Sequence, residues 1–270
     1  MPVWQALVLG VVQGLAEFLP ISSSAHLALV PWAFGWEDPG LAFDVALHWG
    51  TLAAVLLVFW QDWIRLLSAG LFRKGEPRDF RLFWALVISA VPGAVIGKLL
   101  DHWAEEHLRA PLLIAATIAI MGVLLWIADR KGQKTRDLGE MTWGRALGIG
   151  VAQAAALIPG VSRSGSTITV GLLLDYTREE IARFSFLMST PIIFGAGLVK
   201  LPKMLHEMQG GRGPVTWTAL GTGFLASAVV GVAVIRWMLT WLRTRTYVVF
   251  AVYRVALAAV IVALWISGKR

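Results

Sequence analysis

Long apolar runs separated by short polar stretches set the pattern of this chain. Segments near 41–60, 82–100, 111–128, 181–200, 215–237 and 247–267 are apolar over about the 20 residues that a helix needs to cross hydrocarbon. They predict six transmembrane helices. Two other apolar regions, 3–34 and 146–175, are interrupted. Pro20 and the serines after it break the first; Pro159-Gly160 and another serine cluster break the second. Each half is too short to cross alone. Lipid cannot satisfy an open backbone, so such broken helices fit re-entrant segments lining a cavity. The expected fold class is an all-α integral membrane protein with six transmembrane helices plus two re-entrant broken-helix segments.

The two interrupted regions resemble each other. Displaced by 140 residues, GVVQGLAEFLPISSSAH falls on GVAQAAALIPGVSRSGS, and Gly10, Val11, Gln13, Ala16, Ser22 and Ser24 meet Gly150, Val151, Gln153, Ala156, Ser162 and Ser164. Three spans follow each copy. An odd number per copy turns the second upside down relative to the first, which is an inverted-topology repeat. The chain then forms a single membrane domain, with repeat one at about 1–140 and repeat two at about 141–270.

Composition agrees with this picture. Hydrophobic residues make up 57% and charged residues 15%, against about 25% charged in soluble domains. No cysteine is present, which excludes disulfides, thiolate metal sites and cysteine nucleophiles. No basic stretch precedes the first apolar run, so no cleaved signal peptide is expected. The net charge of +7 lies mainly in short loops and reads as a topology signal; no nucleic-acid partner is expected. Trp60, Trp63, Trp126, Trp143, Trp217, Trp237 and Trp241 fall at segment ends, where tryptophan anchors to the interface. No Lys or Arg occurs before Arg65, whereas the 61–81 and 129–145 loops are rich in both. Those loops are expected in the cytoplasm and the N-terminal region on the other side, with Lys200, Lys203 and Arg212 as an exception to the rule.

Chemistry concentrates in the interruptions. Gln13 and Glu17 share a helical face, and a carboxylate at membrane depth faces a cavity or a partner. Pro20 ends the preceding helix, and Ser22, Ser23 and Ser24 can cap the next one. Capping does not account for His26 beside them; a hydroxyl with a carboxylate and an imidazole nearby is a nucleophile-and-base set. In PGVSRSGST, residues 159–167, Arg163 is the sole cation between Arg145 and Arg178. With Ser162, Ser164, Gly165, Ser166 and Thr167 at a helix start, it describes an anion site. The bland alternatives are a structural Glu17 and an Arg163 paired with it for packing alone. An inverted repeat can bring both helix starts together, so that they aim partial positive charge at one phosphate. Asp44 and His48 share a helical face, which could be catalytic, but they read as a satisfied pair. Arg254, inside the last span, reads as structural, and Asp101, His102, Glu105, Glu106 and His107 as a solvated loop. No P-loop, HExxH or GxGxxG occurs.

QGLAEFLPISSSAH and PGVSRSGST resemble the two signature motifs of the undecaprenyl-diphosphate phosphatase family, the bacitracin-resistance type. FSFLMSTPIIFGAG (184–197) and FAVYRVALA (250–258) extend the resemblance over nearly the whole chain. The resemblance implies removal of one phosphate from undecaprenyl diphosphate in the bacterial inner membrane; the charge map opens the first re-entrant segment outward, so hydrolysis is expected on the extracytoplasmic side. The resemblance places the catalytic residues at Glu17, Ser23, His26 and Arg163, with Gln13, Ser22, Ser24, Ser162, Ser164, Gly165 and Thr167 binding substrate. It also implies Mg²⁺ or Ca²⁺ with Glu17 as a ligand, although Gln13 stands where other members have a second carboxylate. The expected partners are a polyprenyl diphosphate lipid and the bilayer, with a homodimer left open. The alternative function is a transporter or flippase for a phosphorylated polyprenyl lipid, which would use the same phosphate pocket without hydrolysis.

Overall fold

The computed structural model describes residues 1–108, 110–209 and 215–268, and the side chains of all of these except 101, 102, 105, 106, 207 and 209. Helices α1 (Val3–Ala16) and α2 (Ser23–Phe34) form a first broken pair. They are followed by α3 (Leu41–Val58), α4 (Trp60–Phe72), α5 (Pro77–His107) and α6 (Pro111–Lys131). Helix α7 (Trp143–Ala154), a 3₁₀ turn (Ala155–Leu157) and α8 (Arg163–Leu173) form a second broken pair. Helices α9 (Arg178–Gln209), α10 (Trp217–Leu242) and α11 (Val248–Ile266) complete the described chain. Six of these, α3, α5, α6, α9, α10 and α11, are long and apolar enough to cross a membrane.

Local signals set the ends. Pro77 and Pro111 open α5 and α6, where their missing N–H costs nothing. The hydroxyls of Thr142 and Thr216 accept from the backbone N–H of Arg145 and Ala219, capping α7 and α10. Gly35 closes α2 in the left-handed conformation.

Two expectations are corrected. The 61–81 loop contains the helix α4, because Leu66 and Ala69 are buried and Gly70 lets the ring of Phe83 on α5 lie against its backbone. Residues 101–107 are the last turns of α5 and not a loop. From Lys98 to Ala110 the chain has no glycine or proline to stop a helix. The side chains of 101, 102, 105 and 106 lie outside the described residues, as does Arg212.

The broken pairs pack crosswise. Helix α1 lies on α10, and α7 lies on α5. Small residues allow the close approach. A Cβ on Gly10 would stand 2.7 Å from the Cβ of Ala226, and one on Gly14 2.8 Å from that of Val230. On α7, Gly150 meets the backbone carbonyl of Ser89 in α5 in the same way. Facing outward are Val199, Val229 and Val252, at 80%, 69% and 62% exposure, as suits a surface covered by lipid and not by water. The chain is a multi-pass membrane protein. Charges gather where α6 and α10 end and α5 and α9 begin: Arg65 pairs with Asp79, Arg178 with Asp129, and Arg243 with Glu179.

Candidate active site

Both broken pairs bend at a serine whose backbone is left-handed. Ser22 has φ 77° and Ser162 φ 72°, a conformation costing of order 1–3 kcal/mol that persists only where surroundings enforce it. The two turns match in detail, since Ser22 Oγ lies 3.3 Å from Ser24 Oγ and Ser162 Oγ 3.3 Å from Ser164 Oγ. The enforcing group is Arg254, fully buried on α11. Its guanidinium donates to the carbonyls of Pro20 at 2.8 Å, Gly160 at 2.7 Å and Ile118 at 3.0 Å. One planar fork thus holds the first turn, the second turn and α6 together. A side chain at Gly165 would crowd this guanidinium, 3.0 Å away. Ser164 adds a second tie, donating to the carbonyl of Leu19 at 3.1 Å.

Clamping the turns brings their side chains onto Glu17. Ser23 Oγ donates to Glu17 Oε2 at 2.6 Å, and Gln13 Nε2 donates to the same oxygen at 3.1 Å. From the other repeat, Arg163 donates to Glu17 Oε1 at 3.1 Å. Arg163 is held in turn by the carbonyl of Ser185 at 2.8 Å. Glu17 is only 6% exposed, and a carboxylate so deep needs these donors. Gln13 Oε1 and Arg163 Nε are buried without protein partners. The opening lies on the α2 side, where Ser24 is exposed and Ser23 half-buried. No side chain caps the first N–H groups of α2, so they remain available to an anion.

Of the residues expected to catalyse, Glu17, Ser23 and Arg163 are brought together. His26 lies one turn into α2, where its Nδ1 bonds the carbonyl of Ser22 at 2.7 Å and its Nε2 the hydroxyl of Tyr253 at 2.7 Å. Of those expected to bind substrate, Gln13 touches Glu17. Ser22, Ser162, Ser164 and Thr167 are buried and engaged in the turns; Thr167 also bonds Ser185 Oγ at 2.8 Å. His48, discounted from sequence as the satisfied partner of Asp44, stands at the cluster. Its pairing with Asp44 runs through the backbone carbonyl, 2.7 Å from Nδ1, and its Nε2 stands 3.8 Å from Glu17 Oε2. Its place one helical turn after Asp44 was visible, but nothing in the sequence showed that this face of α3 meets the first turn. Arg254 is structural, as expected.

The donor set does not build a metal centre. Glu17 is the single carboxylate of the cluster, and its oxygens already accept from Ser23, Gln13 and a guanidinium. Among the described residues no group of three or more acids and histidines converges. Where a second acid would sit, Gln13 presents an amide N–H.

Comparison with known proteins places this geometry. Residues 6–260 match the family described as "Bacitracin resistance protein BacA". The undecaprenyl-diphosphatase of Moorella thermoacetica is 53% identical over 268 residues, covering 98% of this chain and 98% of the relative. That of Desulforudis audaxviator is 48% identical, covering 97% of each. That of Pelotomaculum thermopropionicum is 49% identical, covering 98% of this chain and 97% of the relative.

Proposed function

The chain belongs to the Bacitracin resistance protein BacA family, and from that premise we propose that it is an integral membrane phosphatase acting on undecaprenyl diphosphate. It releases inorganic phosphate and leaves undecaprenyl phosphate, the lipid carrier that is recycled for peptidoglycan synthesis. One observation supports the assignment of chemistry to residues: the Ser23 hydroxyl is hydrogen-bonded at 2.6 Å to a carboxylate that Arg163 holds from the opposite repeat.

Ser23 Oγ attacks the terminal phosphorus while Glu17 Oε2 takes its proton. The bond from that phosphorus to the bridging oxygen breaks, and undecaprenyl phosphate leaves. Water then hydrolyses the phosphoserine, again with Glu17 as base. The Arg163 guanidinium and the uncapped N–H groups of α2 stabilise the charge that builds on the phosphoryl oxygens. Mg²⁺ or Ca²⁺, if required, would supply charge neutralisation to the diphosphate, and Glu17, which already accepts from Ser23, Gln13 and Arg163, would not be free to hold it.

The broken pairs are re-entrant in this account. Helix α1 has 14 residues and is about 21 Å long, short of a hydrocarbon core of about 30 Å; α8 has 11. The basic helix ends face the cytoplasm of the bacterial inner membrane, and the site opens to the extracytoplasmic side. A transporter would need the phosphate pocket but not a hydroxyl presented to a carboxylate.

Phosphate release from undecaprenyl diphosphate by purified protein in detergent tests the proposal. Release with turnover supports it. No release, together with protein-dependent movement of the lipid across vesicle membranes, overturns it in favour of a transporter.

A further inference from the structure

We infer that His48 is a positioning residue of this reaction, the group that receives the Ser23 proton from Glu17 and passes it to water; this rests on the phosphatase assignment above. The first support is its orientation. A backbone carbonyl only accepts, so the contact of Nδ1 with the Asp44 carbonyl at 2.7 Å assigns the proton of a neutral ring to Nδ1. Nε2 then carries a lone pair, and that lone pair stands 3.8 Å from Glu17 Oε2, the oxygen that also accepts from Ser23.

With a neutral ring and Glu17 ionised, two acceptors face each other at 3.8 Å, too far for a hydrogen bond. Once the Ser23 proton reaches Oε2, an O–H faces a nitrogen lone pair and the gap can close. The proton passes to Nε2, an imidazolium forms, and Glu17 returns to the carboxylate needed for the second half of the reaction. The imidazolium then gives the proton to water. No co-reactant is required.

Burial separates His48 from the other members of the cluster. The Glu17 side chain is 6% exposed and that of Arg163 12%, whereas that of His48 is 35% exposed. His48 is thus the most open of these three side chains. Charged groups near it include Glu17 in front, Arg163 on the far oxygen of Glu17, and Asp44 one turn back on α3. The face that α10 turns to α3 is made of Gly223, Ser227 and Gly231, and α9 sets Phe194 and Gly197 about Trp49.

The test is phosphate release by the full chain in detergent, using wild type, His48→Gln and His48→Ala. His48→Gln should lower kcat by about 100-fold and leave KM within about two-fold. Added imidazole should restore part of the kcat of His48→Ala. Wild-type kcat in His48→Gln would overturn the inference. So would a loss in His48→Ala that imidazole leaves unchanged. Ser23→Ala is assayed in parallel: if it is inactive while His48→Gln behaves as wild type, only the His48 role fails, and if it is fully active the phosphatase assignment fails with it.

Discussion

Glu17 and Arg163 lie 146 positions apart in the chain and 3.1 Å apart in space. They come from two similar stretches but from places that do not match in the repeat. At the displacement of 140 residues, Ser23 corresponds to Arg163, Glu17 to Leu157 and His26 to Ser166. One turn has kept the carboxylate and the hydroxyl, and the other supplies the cation.

The pair should therefore behave as a unit. Removing one partner of a buried ion pair costs about 3–5 kcal/mol, because the other charge is left without compensation. Glu17→Gln and Arg163→Ala are each expected to abolish phosphate release and to lower the melting temperature in detergent. The double variant should be no less stable than the worse single one. Additive losses in a double-mutant cycle would show that the two residues act separately.

Arg254 should matter for stability more than for chemistry. Its fork reaches carbonyls of both turns and of α6, and a lysine ammonium cannot span all three. Arg254→Lys is expected to destabilise by about 3 kcal/mol or more, since buried carbonyls lose their donors. Thermal unfolding in detergent measures this; an unchanged midpoint would contradict the clamp.

Much of this was legible in the sequence. The six spans follow from apolar run length, and Pro20 and Pro159-Gly160 mark the breaks in both interrupted regions. Local signals also singled out Glu17, Ser23 and Arg163, which the fold brings into contact. Periodicity could not show which face of one helix meets which turn of another, so His48 read as the partner of Asp44 and His26 as the partner of Ser23. In space His48 faces Glu17 and His26 faces Tyr253. Helix α4 was hidden for a related reason. Its charged first turn reads as loop, whereas the buried Leu66 and Ala69 are recognised only against α5.

Glycines sort into two classes that mutation should separate. A methyl group on Gly10 or Gly150 would run into α10 or α5, whereas one on Gly148 meets nothing within 4 Å. Gly10→Ala and Gly150→Ala are expected to destabilise by about 1–3 kcal/mol. Gly148→Ala should be neutral or stabilising by up to about 1 kcal/mol. Melting temperatures of the three variants check the crosswise packing of α1 on α10 and α7 on α5; equal shifts at all three positions would contradict it.

The most direct test of the whole account compares phosphate release by wild type and by Ser23→Ala on undecaprenyl diphosphate, with folding verified by circular dichroism. The wild type should release one phosphate per lipid, and the folded Ser23→Ala variant should be slower by at least about 100-fold. A folded Ser23→Ala protein releasing phosphate at the wild-type rate would contradict the central claim that the Ser23 hydroxyl, set on Glu17, performs the chemistry.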